Sequence, residues 1–294
     1  MDTRYDTENK MAIVRKAVAQ DFEKTYPLFA KFSNPHLAKD DWRQLFIDHW
    51  HINKGYFGYV LEDGEHIVGF LGLIFGHRTL NAQKEKFCNI TSWVVDEKFR
   101  NQSVFLLLPV LKLKEYTLTI LTGSKETYAV ARKLGFQDLE SHVQIILPLP
   151  SIATWLAPCQ IKVDGSSLSE NLAGEALQAC RDHLTFRCFH VHVRSPLGEC
   201  YLVGTRVFHK SLACANIHYI SNPKVFAKFA GRIAAIICLQ IKTVVVVTDK
   251  RFLQGNTVLL SRTWPLPNPR VYKSGSLGKN DIDSLYSELP VLNI

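Results

Sequence analysis

The chain has 294 residues, a length that suits one large domain or two domains of ordinary size. Its composition is 47% hydrophobic and 21% charged, which excludes an intrinsically disordered protein. The formal net charge of +8 favours a polyanionic partner. The basic residues are scattered and no reader motif accompanies them, so we expect a phosphate-bearing small molecule rather than a nucleic acid.

The seven cysteines are odd in number and form no CxxC pair, so we expect reduced thiols and no metal site. The first ten residues are charged and polar, unlike a secretory signal. The most apolar run, residues 233–248, is interrupted by Gln240 and Lys242 and is too short to span a bilayer. The sequence therefore predicts a cytoplasmic protein with no membrane span.

The first part of the chain predicts a strand, two helices and a hairpin. The helix pattern of residues 19–32 is interrupted at Pro27. An Asp63-Gly64 turn between two apolar runs is a strong hairpin signal. The expected elements are a strand at 12–17, helices at 19–32 and 39–51, hairpin strands at 56–62 and 66–80, and a strand at 88–95.

The polar segment after Val95 leads into an apolar run, which predicts a helix at residues 104–114. A strand at 116–122 and a helix at 125–134 follow, and Gly135 is placed to end that helix. Phe136 opens the next strand. A strand–loop–helix–strand unit of this kind predicts a right-handed crossover between parallel strands.

Three prolines in residues 148–158 mark a linker, after which the same order of elements recurs. The expected elements are strands at 187–194, 199–210, 215–221 and 242–248, and helices at 225–239 and 281–289. The separation in sequence between Asn89 and Asn216 is nearly equal to the separation between Thr122 and Thr248. This spacing indicates a duplicated plan, with a first domain at 1–147 and a degenerate second lobe at 159–294.

The segment from Ser92 to Lys112 carries the most chemical information. A strand ends there, the chain turns through polar residues, and a helix is expected to begin. Backbone N–H groups at a helix N-terminus bind anions, and Arg100 adds positive charge. Further donors come from Asn101, Gln102 and Ser103.

This segment resembles the phosphate loop of the GNAT (GCN5-related N-acetyltransferase) family, in which Arg/Gln-x-x-Gly-x-Gly/Ala follows a strand. The matching residues here run from Arg100 to Phe105, with Ser103 and Phe105 in place of small residues. The later Lys133-Leu134-Gly135-Phe136 is similar to the family's K-x-G-F ending. The resemblance covers residues 12–145 and implies an α/β (α+β) fold: a mixed, mostly antiparallel sheet with a parallel βαβ crossover, here in two similar lobes.

The resemblance also implies ligands and roles. Acetyl-CoA or another acyl-CoA would bind through the end of the strand and the phosphate loop, at Trp93, Val94, Val95, Arg100, Asn101, Gln102, Ser103 and Val104. The family's usual tyrosine acid is replaced by Ala131, and Tyr128 lies one turn earlier as a substitute. His77 or His142 could accept a proton from an amine near neutral pH.

The function that the resemblance implies is acyl-CoA-dependent N-acyl transfer to an amino group of a small molecule or amino sugar. The substituted phosphate loop and the missing tyrosine leave a second hypothesis open. In that case the chain is a catalytically inactive GNAT-like scaffold that binds a metabolite or a protein. Both hypotheses allow a homodimer.

Overall fold

A computed structural model describes residues 11–32, 34–163, 170, 172–209 and 211–294. The prediction for the first ten residues and the last residue of the strand expected at 199–210 lie outside these ranges. The chain forms two compact units. The first unit comprises the residues up to Leu73 together with Ile90–Lys114, and the second comprises Ile74–Asn89 together with Glu115–Ile294.

The first unit begins with a strand, two short helices and an antiparallel hairpin. Strand β1 pairs with β2, which pairs with the first part of β3. The hairpin turn is the predicted one, and Gly64 takes a left-handed φ of 59° there. The elements are β1 Ile13–Lys16, α1 Phe22–Phe29, α2 Lys39–Arg43, β2 Gly58–Asp63, β3 His66–Leu80 and β4 Gln83–Val95, of which β3 and β4 continue into the second unit.

Aromatic side chains form the core of the first unit. Phe29 of α1 stacks on Trp42 of α2 with ring centroids 4.7 Å apart, and its other side meets Phe70 of β3 edge-on at 5.5 Å. Phe46 stacks on the same Phe70 at 5.3 Å. Offset and edge-on aromatic pairs add to the free energy gained by burying the rings, so these contacts fix both helices on the sheet.

The second unit contains the remaining strands and five helices of the described chain. They are β5 Thr117–Ile120, α3 Lys125–Lys133, β6 Gln137–Ile146, α4 Ile152–Leu156, β7 Gln160–Val163, α5 Gly174–His183, β8 Cys188–Ser195, β9 Gly198–His209, β10 Leu212–Ile220, α6 Pro223–Ile241, β11 Val245–Asp249, β12 Ser261–Lys273 and α7 Glu288–Leu292.

The strands of this unit follow the order β4-β5-β12-β6-β11-β10-β9-β8-β7. β4 pairs with β5 in parallel, and β10 pairs with β11 in parallel. The other described registers in this unit are antiparallel. The predicted mixed, mostly antiparallel sheet with parallel crossovers is therefore confirmed.

Helix α6 is the main helix of the second core. The side chain of Asn222 accepts a hydrogen bond from Val225 N at 3.2 Å, and Pro223 occupies the first turn, where its missing N–H costs nothing. Phe226, Ile233 and other apolar residues of one face are fully buried. Among the described residues, no helix combines the length and the apolarity needed to cross a bilayer.

Two helix predictions were wrong. Residues 104–114 form no α-helix: 3-10 turns run from Glu97 to Leu106 and again from Val110 to Lys112. Pro109 explains the break, because it donates no N–H and disfavours the α conformation of the preceding residue. The helix expected at 281–289 begins only at Glu288, since Pro290 fits a first turn but not a helix interior.

Other boundaries also moved. The second predicted helix, at 39–51, ends in a 3-10 turn at Phe46. The expected linker at 148–158 contains α4. Strand β12 has no counterpart among the predicted elements, because the three prolines in its sequence are unusual within a strand.

Candidate functional site

The end of β4 carries an unusual backbone conformation. Ser92 lies within the strand and has a left-handed φ of 50°. Non-glycine residues rarely adopt positive φ, and such residues concentrate at functional sites. A single left-handed residue turns the adjoining peptide groups out of the regular ladder direction. The irregularity directly precedes Trp93, Val94 and Val95, the strand residues that sequence analysis assigned to acyl-CoA.

Neighbouring strand β3 holds this strand end in place. A Cβ atom at Gly69 would lie 3.0 Å from Val95 Cγ2, so the glycine lets the two strands approach closely. Asp96 N donates to Val68 O at 2.8 Å, and the Asp96 carboxylate forms an ion pair with Lys31. The point where the chain leaves the sheet is therefore fixed by both backbone and side-chain contacts.

The indole of Trp93 places a hydrogen-bond donor at the end of β4. Its indole Nε1–H is buried and has no acceptor among the described residues. A buried donor without an acceptor costs about 1–3 kcal/mol, so such groups usually mark a ligand or a water site. Val94 is buried and Val95 is half-buried, which leaves their backbone groups as their means of contacting a ligand.

The residues of the predicted phosphate loop divide by exposure. Arg100 and Asn101 are exposed, Ser103 and Val104 are half-buried, and Gln102 is buried. The Gln102 side-chain oxygen accepts a hydrogen bond from Ala12 N at 3.0 Å. Arg100 and Asn101 are therefore the loop residues that offer charge and side-chain donors to solvent. The Gln102 side chain instead bonds the loop to Ala12, just before β1.

The helical turns begin earlier than predicted, at Glu97 instead of Val104. The backbone N–H groups at the start of these turns belong to Glu97 and Lys98, so an anion site at the turn would lie next to Lys98 and Arg100. Phe105, which replaces the family's small residue, is 38% exposed. Its ring is not sequestered in the core of the unit.

Tyr128 lies on α3 in the second unit. The helix starts at Ser124, whose side chain accepts a hydrogen bond from Thr127 N at 3.2 Å, and it is followed by Gly135 at φ 85°. The Tyr128 hydroxyl donates to Asp138 Oδ1 at 3.0 Å. This hydrogen bond to a carboxylate raises the pKa of the phenol, so Tyr128 keeps its proton at neutral pH.

His77 lies on the part of β3 that belongs to the second unit, and it is half-buried. Its backbone oxygen accepts a hydrogen bond from Gln178 Nε2 at 3.2 Å. His142, the alternative base, lies on β6, and its Nδ1 is 2.9 Å from Ser141 Oγ. Each histidine therefore has a defined polar contact in the second unit.

Sequence analysis did not predict a polar cavity beside His77. Arg78 is 4% exposed, forms an ion pair with Asp283, and lies over the ring of Tyr219 at 4.9 Å. These residues line a cavity of about 180 Å³ together with Glu175, whose carboxylate is 3.6 Å from Arg78. An arginine inside the apolar run of β3 is the sequence signal that could have revealed it.

Residues 15–104 match the model of the acetyltransferase (GNAT) family. A search of curated proteins found no match to the sequence. Among solved structures, a protein from Enterococcus faecalis V583 described as a probable N-acyltransferase has a TM-score of 0.58 at 12% identity, over 92% of this chain and 74% of that one.

Two further structures are similar over most of the chain. One is a protein from Pyrococcus horikoshii, provisionally described as an acetyltransferase, with a TM-score of 0.56 at 12% identity over 96% of both chains. The other is a GCN5-related glucosamine N-acetyltransferase region of a fungal multi-domain β-N-acetylglucosaminidase. It has a TM-score of 0.56 at 12% identity, over 89% of this chain and 38% of that one.

At these identities the solved structures establish the fold, and the family model covers the segment that contains β4 and the predicted phosphate loop. Residues 15–104 are thus similar to the GNAT family, and the chain has the fold of these solved structures.

Proposed function

We propose that the protein is an acyl-CoA-dependent N-acyltransferase that acts on an amino group of a small molecule or amino sugar. The observation that carries the proposal is the end of β4, where left-handed Ser92 precedes Trp93, whose buried indole N–H has no acceptor in the described part of the chain. This strand end lies inside the family match. The amino-sugar acceptor draws on the fungal neighbour, which is named as a glucosamine N-acetyltransferase.

The first unit offers groups that suit a CoA thioester. Arg100, Lys98 and Asn101 are exposed and can bind phosphate oxygens. The indole N–H of Trp93 and the backbone groups of Val94 and Val95 can bind the amide groups of the pantetheine arm. The thioester supplies the acyl group: the amine nitrogen forms a bond to the acyl carbon, the C–S bond breaks, and the amine proton is removed.

Positioning of the two substrates is the main catalytic effect that we expect, because a deprotonated amine attacks a thioester readily once it is held close. We propose that Tyr128, whose hydroxyl retains its proton, protonates the thiolate that leaves. We propose that His77 takes the proton from the amine, with His142 as the alternative base. These roles rest on the family resemblance and on the chemistry of the side chains.

Calorimetric titration of the full chain with acetyl-CoA and with a longer acyl-CoA tests the binding step. Arg100→Ala should weaken binding about 10- to 100-fold, since one charge-assisted hydrogen bond to phosphate is lost. Arg181→Ala, which removes an exposed arginine of α5, is the matched control and should bind normally. Failure to bind either acyl-CoA would overturn the proposal.

Release of free CoA thiol in the presence of glucosamine and other small amines tests the transfer step. The alternative function, an inactive scaffold, is favoured by Ala131, which is buried at the position of the family's tyrosine. A scaffold would bind acyl-CoA or another metabolite without releasing thiol for any acceptor. A homodimer stays a prediction of the sequence, and light scattering tests it.

A further inference from the structure

Helix α4 presents apolar side chains to solvent. Ile152 is 80% exposed, Trp155 is 56% exposed and Leu156 is 77% exposed. Their spacing of i, i+3 and i+4 puts them on one helix face, the arrangement that usually packs against a core. Leu149, 54% exposed, continues this surface before the helix. A cluster of large apolar side chains facing solvent marks an interaction site.

The backbone that carries these side chains is held firmly by α6. Arg232 Nη1 donates to Trp155 O at 3.2 Å and to Ala157 O at 3.0 Å, and Arg232 Nη2 donates to Cys159 O at 2.9 Å. A Cβ atom at Gly231 would lie 2.5 Å from Leu149 O, so the segment before α4 lies directly on α6. The exposed side chains therefore project from a fixed support.

The helix beneath them supplies positive charge. Lys224, Lys228 and Arg232 are spaced at i, i+4 and i+8 on α6, which places them on one face. Both lysines are exposed. The sequence contains no Asp or Glu between Glu140 and Asp164, or between Glu199 and Asp249. Neither segment thus contributes a carboxylate that could offset the charge.

We propose that this surface, the α4 patch, binds the surface of an anionic lipid bilayer. We define the α4 patch as Leu149, Ile152, Trp155, Leu156, Lys224, Lys228 and Arg232. Exposed Trp, Leu and Ile on a segment that packs on a helix with a basic face are the combination typical of interfacial membrane binding. The apolar side chains enter the boundary between headgroups and acyl chains, and the basic face of α6 lies against the anionic headgroups.

The charge favours a bilayer over a second copy of the chain. In a two-fold symmetric dimer built on the α4 patch, the same surface meets itself, so the basic face of α6 would approach its own copy. That arrangement sets like charges side by side. The proposal does not depend on acyl transfer. A negative vesicle-binding result would therefore leave the proposed acyl-CoA binding unaffected, and a negative acyl-CoA result would leave the vesicle proposal unaffected.

Flotation of the full chain with vesicles tests the proposal. Vesicles of phosphatidylcholine alone are compared with vesicles of equal parts phosphatidylcholine and phosphatidylserine, and binding to the anionic vesicles is expected. Lys224→Gln with Lys228→Gln should lower the partition coefficient about fivefold per lysine. Ile152→Ser with Leu156→Ser should abolish binding without loss of folding, because both side chains are already exposed.

Trp155 provides an internal reporter. Its fluorescence should shift to the blue on binding to anionic vesicles, and Trp155→Phe should remove that shift while binding persists. The controls are Leu197→Ser and Lys125→Gln, which change exposed residues outside the α4 patch. Absence of vesicle binding, or equal losses in the controls, would overturn the proposal. Self-association that Ile152→Ser with Leu156→Ser abolishes, without vesicle binding, would assign the patch to a dimer instead.

Discussion

Glu288 accepts a hydrogen bond from Thr122 Oγ1 at 2.7 Å through one carboxyl oxygen, and its other oxygen has no hydrogen-bond partner among the described residues. The side chain is fully buried at the first turn of α7, and its backbone N–H donates to Asn89 Oδ1 at 3.2 Å. Burial raises the pKa of the Glu288 carboxyl above its ordinary value.

The pH dependence of stability follows from this raised pKa. The folded state binds the Glu288 proton more tightly than the unfolded state, so stability is lost as pH rises from about 4 through the folded pKa. Glu288→Gln cannot ionise, and its melting temperature relative to the wild type should therefore increase with pH. Thermal unfolding at several pH values measures this, with exposed Glu115→Gln as the control. A difference that stays constant with pH would contradict the assignment.

Arg15 joins two carboxylates in the first unit. Its guanidinium lies 2.8 Å from both oxygens of Asp21 and 2.8 Å from both oxygens of Glu62. Hydrogen bonds from Arg15 lower the pKa of Glu62. Burial opposes ionisation of Asp21, but hydrogen bonds from Arg15 and from Val18 N outweigh it, so that pKa is lowered too.

We predict that Arg15→Met lowers the free energy of unfolding by about 1–2 kcal/mol at neutral pH. Lowered carboxyl pKa values contribute stability above about pH 4, and this contribution disappears as pH falls through the folded values. The cost of Arg15→Met should therefore shrink in acid. Urea unfolding measures both effects. Arg43→Met breaks a more exposed ion pair with Glu23 and should cost less than Arg15→Met.

Gly204 of β9 lies where no side chain fits. A Cβ atom there would be 2.4 Å from Phe189 Cζ and 2.5 Å from Asn216 O. The backbone oxygen belongs to neighbouring strand β10 and cannot move freely, so Gly204→Ala should destabilise the protein by about 1–3 kcal/mol. Gly275→Ala, which meets nothing within 4 Å, is the control in the same denaturant titration.

The proposed role of Tyr128 makes a kinetic prediction. Tyr128→Phe should lower kcat about a hundredfold or more and leave the KM for acyl-CoA nearly unchanged, since only proton transfer is lost. Asp138→Asn weakens the hydrogen bond that raises the Tyr128 pKa, so the alkaline limb of the rate profile should move to lower pH. Full activity of Tyr128→Phe would exclude Tyr128 as the acid.

Local signals explain which elements could be predicted. Gly64 at the hairpin and Gly135 after α3 both occupy left-handed positions that their residue type reveals. Strand β12 could not be predicted, because Pro265, Pro267 and Pro269 are typical of loops. The bulge between Pro265 and Arg270 accommodates them within the sheet.

Some features of the candidate site could be predicted from the local sequence, and others could not. The exposure of Arg100 agrees with its polar sequence neighbours, and its contact with phosphate stays a prediction. The burial of Gln102 depends on Ala12, a partner far away in sequence, and no local pattern indicates it. The left-handed φ of Ser92 is also invisible, since serine carries no signal for that conformation.

The position of β12 between β5 and β6 has a consequence for biosynthesis. Tyr272 pairs with Thr119 on one side and with Gln137 on the other, so β5 and β6 share a partner strand that is synthesised only after β7 to β11. Until that partner emerges, both edges present unpaired peptide groups to any other extended chain. The growing polypeptide can therefore aggregate through these two edges until β12 has been made.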